Sequence, residues 1–450
     1  MADTRIISTT TVQATNHNSS TPIIHLTPWD LLLLNLESIQ QGLLFHKPKT
    51  DHQIHHLKHT LSTILTFFPP FTGRLIITNH HDNNNNTTVT CHITCNNAGA
   101  LFVHAAAEKT SIADIIRPGY VPSIVHSFFP LNGVKNYQGM SQPLLAVQVT
   151  ELLDGVFIGF TMNHSVADGK AFWQFINSWG ELSRGNSDKL MKTPPLERWF
   201  PNGIDPPIHF PSFTKEEEKK KQDNSDPVPQ LPPLCIFHFS KEKLAELKAK
   251  ANAEVDNGMH ENRVISSLQA LLTHIWRSVI RAQRVNPEKE TDYMLIIDAR
   301  QRMQPPLPEN YLGNAGMAGI VKLKAGELLL EGKSAWEMNK MIALHTDEMM
   351  RSNYEGWLKT PVLITPAAKA AAGDTVSFIT NSSPRFDFYG NDFGWGKPVA
   401  VRNGAANKYS GKITAFGGVE EGSIDLEVCL RFETLEAMKN DPVFMDAVSM

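Results

Sequence analysis

His164-Ser165-Val166-Ala167-Asp168-Gly169 stands between two segments of different hydrophobic period. Before it, Val156, Ile158, Phe160 and Met162 alternate as they would on one side of an extended strand. After it, in Lys170 to Trp179, Phe172, Phe175, Ile176 and Trp179 recur at helical spacing. The passage therefore reads as strand, tight turn, helix, with His164 ending the strand and Asp168-Gly169 turning the chain. A histidine held on rigid elements can take a proton from a substrate near neutral pH. The bland reading is a polar strand end at His164 and an ordinary helix N-cap at Asp168. His-x-x-x-Asp alone does not choose between them.

Bulk properties narrow the class. The chain has 450 residues, enough for two to four domains and a large core. Its 41% apolar and 20% charged residues are those of an ordinary globular protein. A formal net charge of −4 with no basic block argues against nucleic acid. Met1 to Gln13 lacks an apolar signal core, and no apolar run approaches the about 18 residues of a membrane span. Ala447-Val448-Ser449-Met450 matches no targeting address, so a cytoplasmic protein is expected. Cys91, Cys95, Cys235 and Cys429 are read as reduced, structural thiols. Residues four apart in a strand, such as Cys91 and Cys95, lie roughly 13 Å apart at 3.3 Å per residue, too far to share one ion.

Along the chain, Ile54, Leu57, Leu61, Ile64, Leu65 and Phe68 make one stripe of a helix over Asp51 to Phe68. His52, His55, His56 and His59 fall opposite, and are read as a solvent-facing cluster rather than a metal site. Pro69-Pro70 stops the helix. Gly73 to Thr78 and Thr88 to Thr94 alternate as strands, with a polar loop between. A proline-rich stretch with a charge run from Lys215 to Asp226 reads as a crossover linker. The expected division is an N-terminal half over 1–205, a linker over 206–233 and a C-terminal half over 234–450. In the second half, strands are expected at Leu234 to Phe239, Met294 to Arg302, Gly411 to Phe416 and Ser423 to Phe432. Helices are expected at Lys241 to Asn252, Val264 to Arg281 and Leu435 to Asp441. Asp298, Arg300 and Arg302 would share one face of the second of those strands.

Far downstream stands Asp392-Phe393-Gly394-Trp395-Gly396-Lys397-Pro398. Together with the histidine motif, in this order, it resembles the plant BAHD acyltransferase family, which moves acyl groups from coenzyme A thioesters to alcohols or amines. Leu26-Thr27-Pro28-Trp29-Asp30, Phe68 to Leu75, Asp298-Ala299-Arg300 and Tyr311-Leu312-Gly313-Asn314 agree, so the resemblance covers essentially the whole chain. It implies an α/β fold of two chloramphenicol-acetyltransferase-like halves, with mixed sheets flanked by helices and an active-site channel between them. It further implies His164 as general base for direct attack of the acceptor on the thioester, with no covalent enzyme intermediate. Asp168 would then be structural, pointing away and paired with Arg300 or Arg302, since a buried aspartate needs such a partner. Gly169 would relieve crowding at the turn. Asp392, Gly394, Trp395 and Gly396 would form a tight loop pinned by its indole, remote from substrate.

One departure matters. Many family members carry Ser-Trp or Thr-Trp ten residues before that aspartate, where hydroxyl and indole support the oxyanion or the acceptor. This chain has Ser382-Ser383. The hydroxyl of Ser382 remains as a candidate catalytic donor, while the indole is gone. A missing oxyanion donor can cost about 10²–10³ in rate. The loss leaves room for an alternative: a lyase or intramolecular transferase using His164 as base without a thioester. Coenzyme A, a co-substrate rather than a permanent cofactor, has no glycine-rich fingerprint here. Ser266 and Ser267 are candidates for its phosphates, or a plain N-cap. No metal is expected, and a monomer acting on acyl-CoA and a small alcohol or amine is the resulting picture.

Overall fold

The computed structural model describes residues 4–15, 21–49, 52–81, 87–117, 119–185, 193–212, 231–256, 264–330, 332–365 and 376–449. Among these residues three sheets form. The first runs in the order β1 (Arg5–Val12), β6 (Ala100–Ala107), β7 (Leu145–Leu152), β8 (Gly155–Met162), β3 (Ile39–His46), β14 (Ala400–Asn403). The second runs β10 (Leu234–Phe239), β16 (Ile424–Cys429), β15 (Lys412–Gly417), β13 (Val376–Thr380), β11 (Glu290–Asp298), β12 (Gly316–Lys324). A small sheet, β2 (Ile23–His25), β5 (Thr87–Thr94) and β4 (Arg74–His81), takes β9 (Phe210–Pro211) as an extra partner of β5. Both large sheets are mixed: β6 and β7 pair in parallel, as do β11 with β13 and β13 with β15. This is an α/β architecture of two sheet-centred halves.

β8 is a central strand between β7 and β3, and all eight of its residues are buried. Its alternation therefore does not separate a wet face from a dry one; helices and loops cover both sides. The helix that follows spans Gly169–Ser183 and buries Phe172, Phe175, Ile176 and Trp179. The helix Gln53–Ile64 lies against it, with Trp179 Nε1 donating to Thr60 Oγ1 at 3.0 Å. His56, expected in solvent, is half-buried, and its Nε2 lies 2.9 Å from the Ser183 carbonyl oxygen. The four cysteines are buried and free, and burial pushes the thiols of Cys95, Cys235 and Cys429 up to about 11.

Several boundaries differ from the sequence reading. The first strong helix starts at Gln53 and ends at Ile64, and Asn79 to His81 extend β4 into the expected loop. β11 covers Glu290–Asp298, so Arg300 and Arg302 sit beyond the strand rather than on its face. Ala299 N donates back to Ala315 O, and Arg302 N and Met303 N both donate to Ala299 O, which curls the chain into a turn. The charge run Lys215 to Asp226 lies outside the described residues. No helix among the described residues is long and apolar enough to cross a membrane.

The halves also exchange material. β14 comes from beyond residue 234 yet pairs antiparallel with β3 of the first sheet. A buried polar chain follows that exchange. Trp173 Nε1 donates to Gln41 Oε1 at 2.7 Å, Gln41 Nε2 to Asn403 Oδ1 at 3.2 Å, and Asn403 Nδ2 to Glu427 Oε1 at 2.8 Å. Glu427, on β16, forms a close ion pair with Lys408, and their side chains are 0% and 3% exposed. Burial pushes the Glu427 carboxyl up, but Lys408 and Asn403 outweigh it and hold it below the usual range. Replacing Glu427 with alanine is expected to destabilise the protein by about 3–5 kcal/mol, because the Lys408 ammonium would stay buried without its partner. Urea denaturation reads this directly. A depressed folded pKa stabilises above the unfolded value, about 4.3, and that contribution is lost as pH falls through the folded one. The gap between wild type and Glu427→Ala should therefore close on acidification, and a pH-independent gap would refute the ion-pair account.

Candidate active site

The turn after β8 is gripped by side chains at nearly every residue. His164 N donates to Asn136 Oδ1 at 2.8 Å, and His164 O accepts from Asn314 Nδ2 at 2.7 Å. Asn163 Oδ1 accepts from Ser165 N at 3.1 Å and Ser165 Oγ at 2.6 Å. Val166 O accepts from Arg198 Nη2 at 2.7 Å. The imidazole of His164 is thus carried on a main chain with little freedom. Its residue is half-buried, and Nδ1 is buried without a well-formed hydrogen bond. Burial lowers the imidazole pKa below the ordinary histidine value. The nearby carbonyls of His164 and Ala167 and the charge of Asp168 oppose that shift in part, while Lys412 adds to it.

Asp168 does two jobs at once. It caps the helix Gly169–Ser183, with Oδ1 accepting from Lys170 N and Ala171 N, both at 3.1 Å. It also faces Arg300, whose Nη1 donates to Oδ2 at 2.8 Å and whose Nη2 donates to Oδ1 at 3.0 Å. Ala315 N donates to Oδ2 at 3.2 Å. Burial pushes this carboxyl up, but the Arg300 guanidinium and the backbone donors outweigh it and hold it below the usual carboxylate range. The same guanidinium, 1% exposed, donates to Asp298 Oδ1 at 3.1 Å and to the carbonyls of Tyr311 and Gly313. The carboxylate does not hydrogen-bond the His164 ring. Arg302 does not reach Asp168 either: its Nη1 donates to the carbonyls of Ile342 and His345, at the C-terminal end of the helix Lys333–Leu344. Its placement beyond the end of β11 removes it from the site. A Cβ on Gly169 would stand 3.2 Å from the ring of Phe386, so the glycine makes room for that ring against the helix start.

Asp392 Oδ1 accepts from the backbone N–H groups of Gly394, Trp395 and Gly396 at 2.8, 3.1 and 2.9 Å. Gly394 and Gly396 have φ of +107° and +114°, where a side chain would be strained. Trp395 stacks on Phe393, their centroids 5.9 Å apart, and meets Phe45 edge-on. Arg184 Nη1 donates to the Asp392 carbonyl at 3.0 Å. The loop therefore docks at the C-terminal end of the helix Gly169–Ser183, fifteen residues long. At 1.5 Å per residue that is on the order of 20 Å from the His164 end.

Ser382 lies just beyond β13, whose Ile379 stands opposite Lys412 of β15. Its Oγ is buried with no hydrogen-bond partner, and no hydrogen bond among the described residues joins it to His164. Ser383 Oγ accepts from Arg385 N at 3.2 Å. Ser266 is the N-cap of the helix Ser267–Ala282, its Oγ accepting from Gln269 N at 3.3 Å while Gln269 Oε1 accepts from Ser266 N at 2.7 Å. A reciprocal capping box accounts for its side chain locally. Asn136, Arg198 and Asn314 were not nominated from the sequence. Asn314 stands in a landmark motif without an assigned role, and Arg198 carries no signal a single sequence reveals.

Residues 2–445 match a family described as "Transferase family". The chain is 40% identical to an uncharacterised acetyltransferase of Arabidopsis thaliana, covering 99% of each. It is 30% identical to the BAHD acyltransferase DCR of the same organism, over 98% of this chain and 92% of that one. Among solved structures it resembles F. sporotrichioides TRI101 complexed with coenzyme A and T-2, at a TM-score of 0.70 and 17% identity, covering 95% of this chain and 99% of that one.

Replacing Asp168 with asparagine should cost about 3–5 kcal/mol of stability, since Arg300 would keep its burial and lose its counter-charge. Denaturant midpoints at neutral pH measure it. The folded pKa of Asp168 is depressed, so its contribution is present above the unfolded value of about 3.9 and lost as pH falls through the folded one. Arg302→Ala, by contrast, should leave activity near that of the wild type.

Proposed function

The chain belongs to the BAHD acyltransferases, and from that premise we propose that it moves an acyl group from a coenzyme A thioester to an alcohol or amine of plant specialised metabolism, with His164 as general base. The observation that carries the reading is the placement of the imidazole: it stands on a main chain held from both sides, and its burial favours the neutral, proton-accepting form. A proton on the buried Nδ1 leaves the lone pair on Nε2, where an acceptor hydroxyl can donate. As the acceptor oxygen attacks the thioester carbonyl, its proton passes to Nε2 and a tetrahedral oxyanion forms. Collapse breaks the carbon–sulfur bond, and the departing thiolate takes the proton back from the imidazolium. Bond making, bond breaking and proton transfer balance without a covalent enzyme intermediate.

Ser382 is the side-chain donor proposed for the oxyanion, because its buried hydroxyl has no other partner to satisfy. A donor of this kind costs little reorganisation at the moment of reaction. The fold's likeness to a protein solved with coenzyme A supports a thioester donor. Its phosphates would meet the first N–H groups of the helix at Ser266 and Ser267, where the Ser266 side chain is already engaged in capping Gln269 N. The reading has a cytosolic monomer with no metal and no resident cofactor.

His164→Ala should lower turnover by at least about a hundredfold in a protein that still folds. Release of free thiol from an acyl-CoA panel, with plant alcohols and amines as acceptors, reads it. The acidic limb of the kcat profile should fall below about 6.5, the unperturbed histidine value, because the base is lost on protonation and its pKa is lowered. Ser382→Ala should slow turnover by about 10²-fold while leaving thioester binding little changed. Ser383→Trp should narrow the acceptor side and exclude bulkier acceptors. His164-dependent product formation without a thioester, together with no acyl-CoA binding by calorimetry, would sink the transfer reaction.

A further inference from the structure

Two carbonyls of the turn, those of His164 and Val166, are held by side chains that share one buried carboxylate. Asp30 is 0% exposed. Its Oδ1 accepts from Asn314 N at 3.1 Å and Asn314 Nδ2 at 2.9 Å. Its Oδ2 accepts from Thr27 N and Thr27 Oγ1, each at 3.0 Å, and lies 3.3 Å from Arg198 Nε. The Asn314 amide that meets Asp30 also donates to His164 O, and the Arg198 guanidinium that meets Asp30 also donates to Val166 O, both at 2.7 Å. Gly313 completes the fit: a Cβ there would lie 2.6 Å from Arg198 Nη1, so the guanidinium occupies the space of the missing side chain. Next to it, Trp199 N donates to Tyr311 Oη at 3.3 Å, and the Trp199 ring stacks on Trp29 at 5.6 Å.

We propose that Asp30, Arg198 and Asn314 are positioning residues for His164: anchored on one carboxylate, they fix the main chain on either side of Ser165 and so set where the imidazole meets the acceptor. The inference rests on the reading of His164 as the base. Arg300 acts at the helix end of the turn, through Asp168; this second clamp acts at the strand end, where the ring itself is carried. Its members come from the helix Pro28–Leu31, from the chain at Arg198 before the crossover and from the second half at Asn314. A shift of one half against the other therefore reaches His164 directly.

Arg198 is the counter-charge of the buried Asp30 carboxylate, and it does more than pair with it. Its Nε and Nη1 are buried without a well-formed hydrogen bond, and a buried cation so incompletely satisfied is costly. What the guanidinium does supply is a short, charge-assisted bond to a carbonyl two residues from the base. Displacing a reacting group by 1 Å can cost about 10²-fold in rate.

The test uses Arg198→Gln, Arg198→Lys and Asn314→Ala in the full-length protein. Steady-state kinetics with the best acyl-CoA, thermal melts and ¹⁵N NMR of the histidine rings would be compared with wild type. Arg198→Gln and Asn314→Ala are expected to lower kcat by about ten- to a hundredfold while KM for the thioester stays within about twofold. The ring titration of His164 should shift in both, and Arg198→Lys should recover part of the rate. A lowered melting temperature with wild-type kcat and an unmoved His164 titration would overturn the proposal and leave a structural role only. A moved titration with unchanged kcat would keep the positioning and refute His164 as base. If Arg198→Gln does not fold, Asn314→Ala decides, since it frees His164 O while leaving the Asp30–Arg198 pair in place.

Discussion

A guanidinium almost fully removed from water must find a counter-charge and several acceptors, and in this protein that requirement organises the site. Arg300 satisfies it with both oxygens of Asp168, with Asp298 and with the carbonyls of Tyr311 and Gly313. Those groups belong to the turn after β8, to the end of β11 and to the loop before β12. Meeting the electrostatic demand of one side chain therefore brings the two halves to a single relative position at His164. The pair is also why Asp168 cannot serve as a proton relay: its lone pairs are taken by arginine and backbone donors, and its charge acts on the imidazole only through space.

Buried polar contacts cross between the halves in two chains. Near β14 they run from Trp173 through Gln41 and Asn403 to Glu427 and Lys408. Under the turn they run from Asp30 through Asn314 and Arg198. Apolar burial on its own is non-directional and tolerates small slips between surfaces. Buried hydrogen bonds do not, because a donor left facing an apolar wall loses its hydration with nothing in exchange. In this fold the apolar cores of the two halves supply cohesion, and the buried polar chains supply the alignment.

The helix Gly169–Ser183 connects the two motifs that are separated in sequence. Asp168 caps its start, and the loop Asp392 to Gly396 docks at its end, with Arg184 holding the Asp392 carbonyl. Three N–H groups folded around Asp392 Oδ1, two of them on glycines with positive φ, make a compact wedge carrying Trp395 against Phe45 and Phe393. The remote motif is thereby joined to the turn through one helix.

Some of this was legible in the residues themselves. Period-two and helical spacing on either side of His164 located the strand, the turn and the helix, because side-chain direction repeats with the backbone geometry. The strand Leu234–Phe239 was read to the residue, and the glycines around Trp395 announced a tight loop. The partner of Asp168 could be narrowed only to Arg300 or Arg302, since two arginines two residues apart look alike until the chain is seen to leave the strand at Asp298. Arg198 and Asn136 gave no sign at all. Their importance comes from carbonyls they meet across long sequence distances, and a carbonyl has no residue-specific mark. Local periodicity thus determined where His164 sits along the chain. Tertiary packing decided what holds it, because burial makes an unpaired polar group costly and so ties each carbonyl of the turn to whichever donor the fold brings to it.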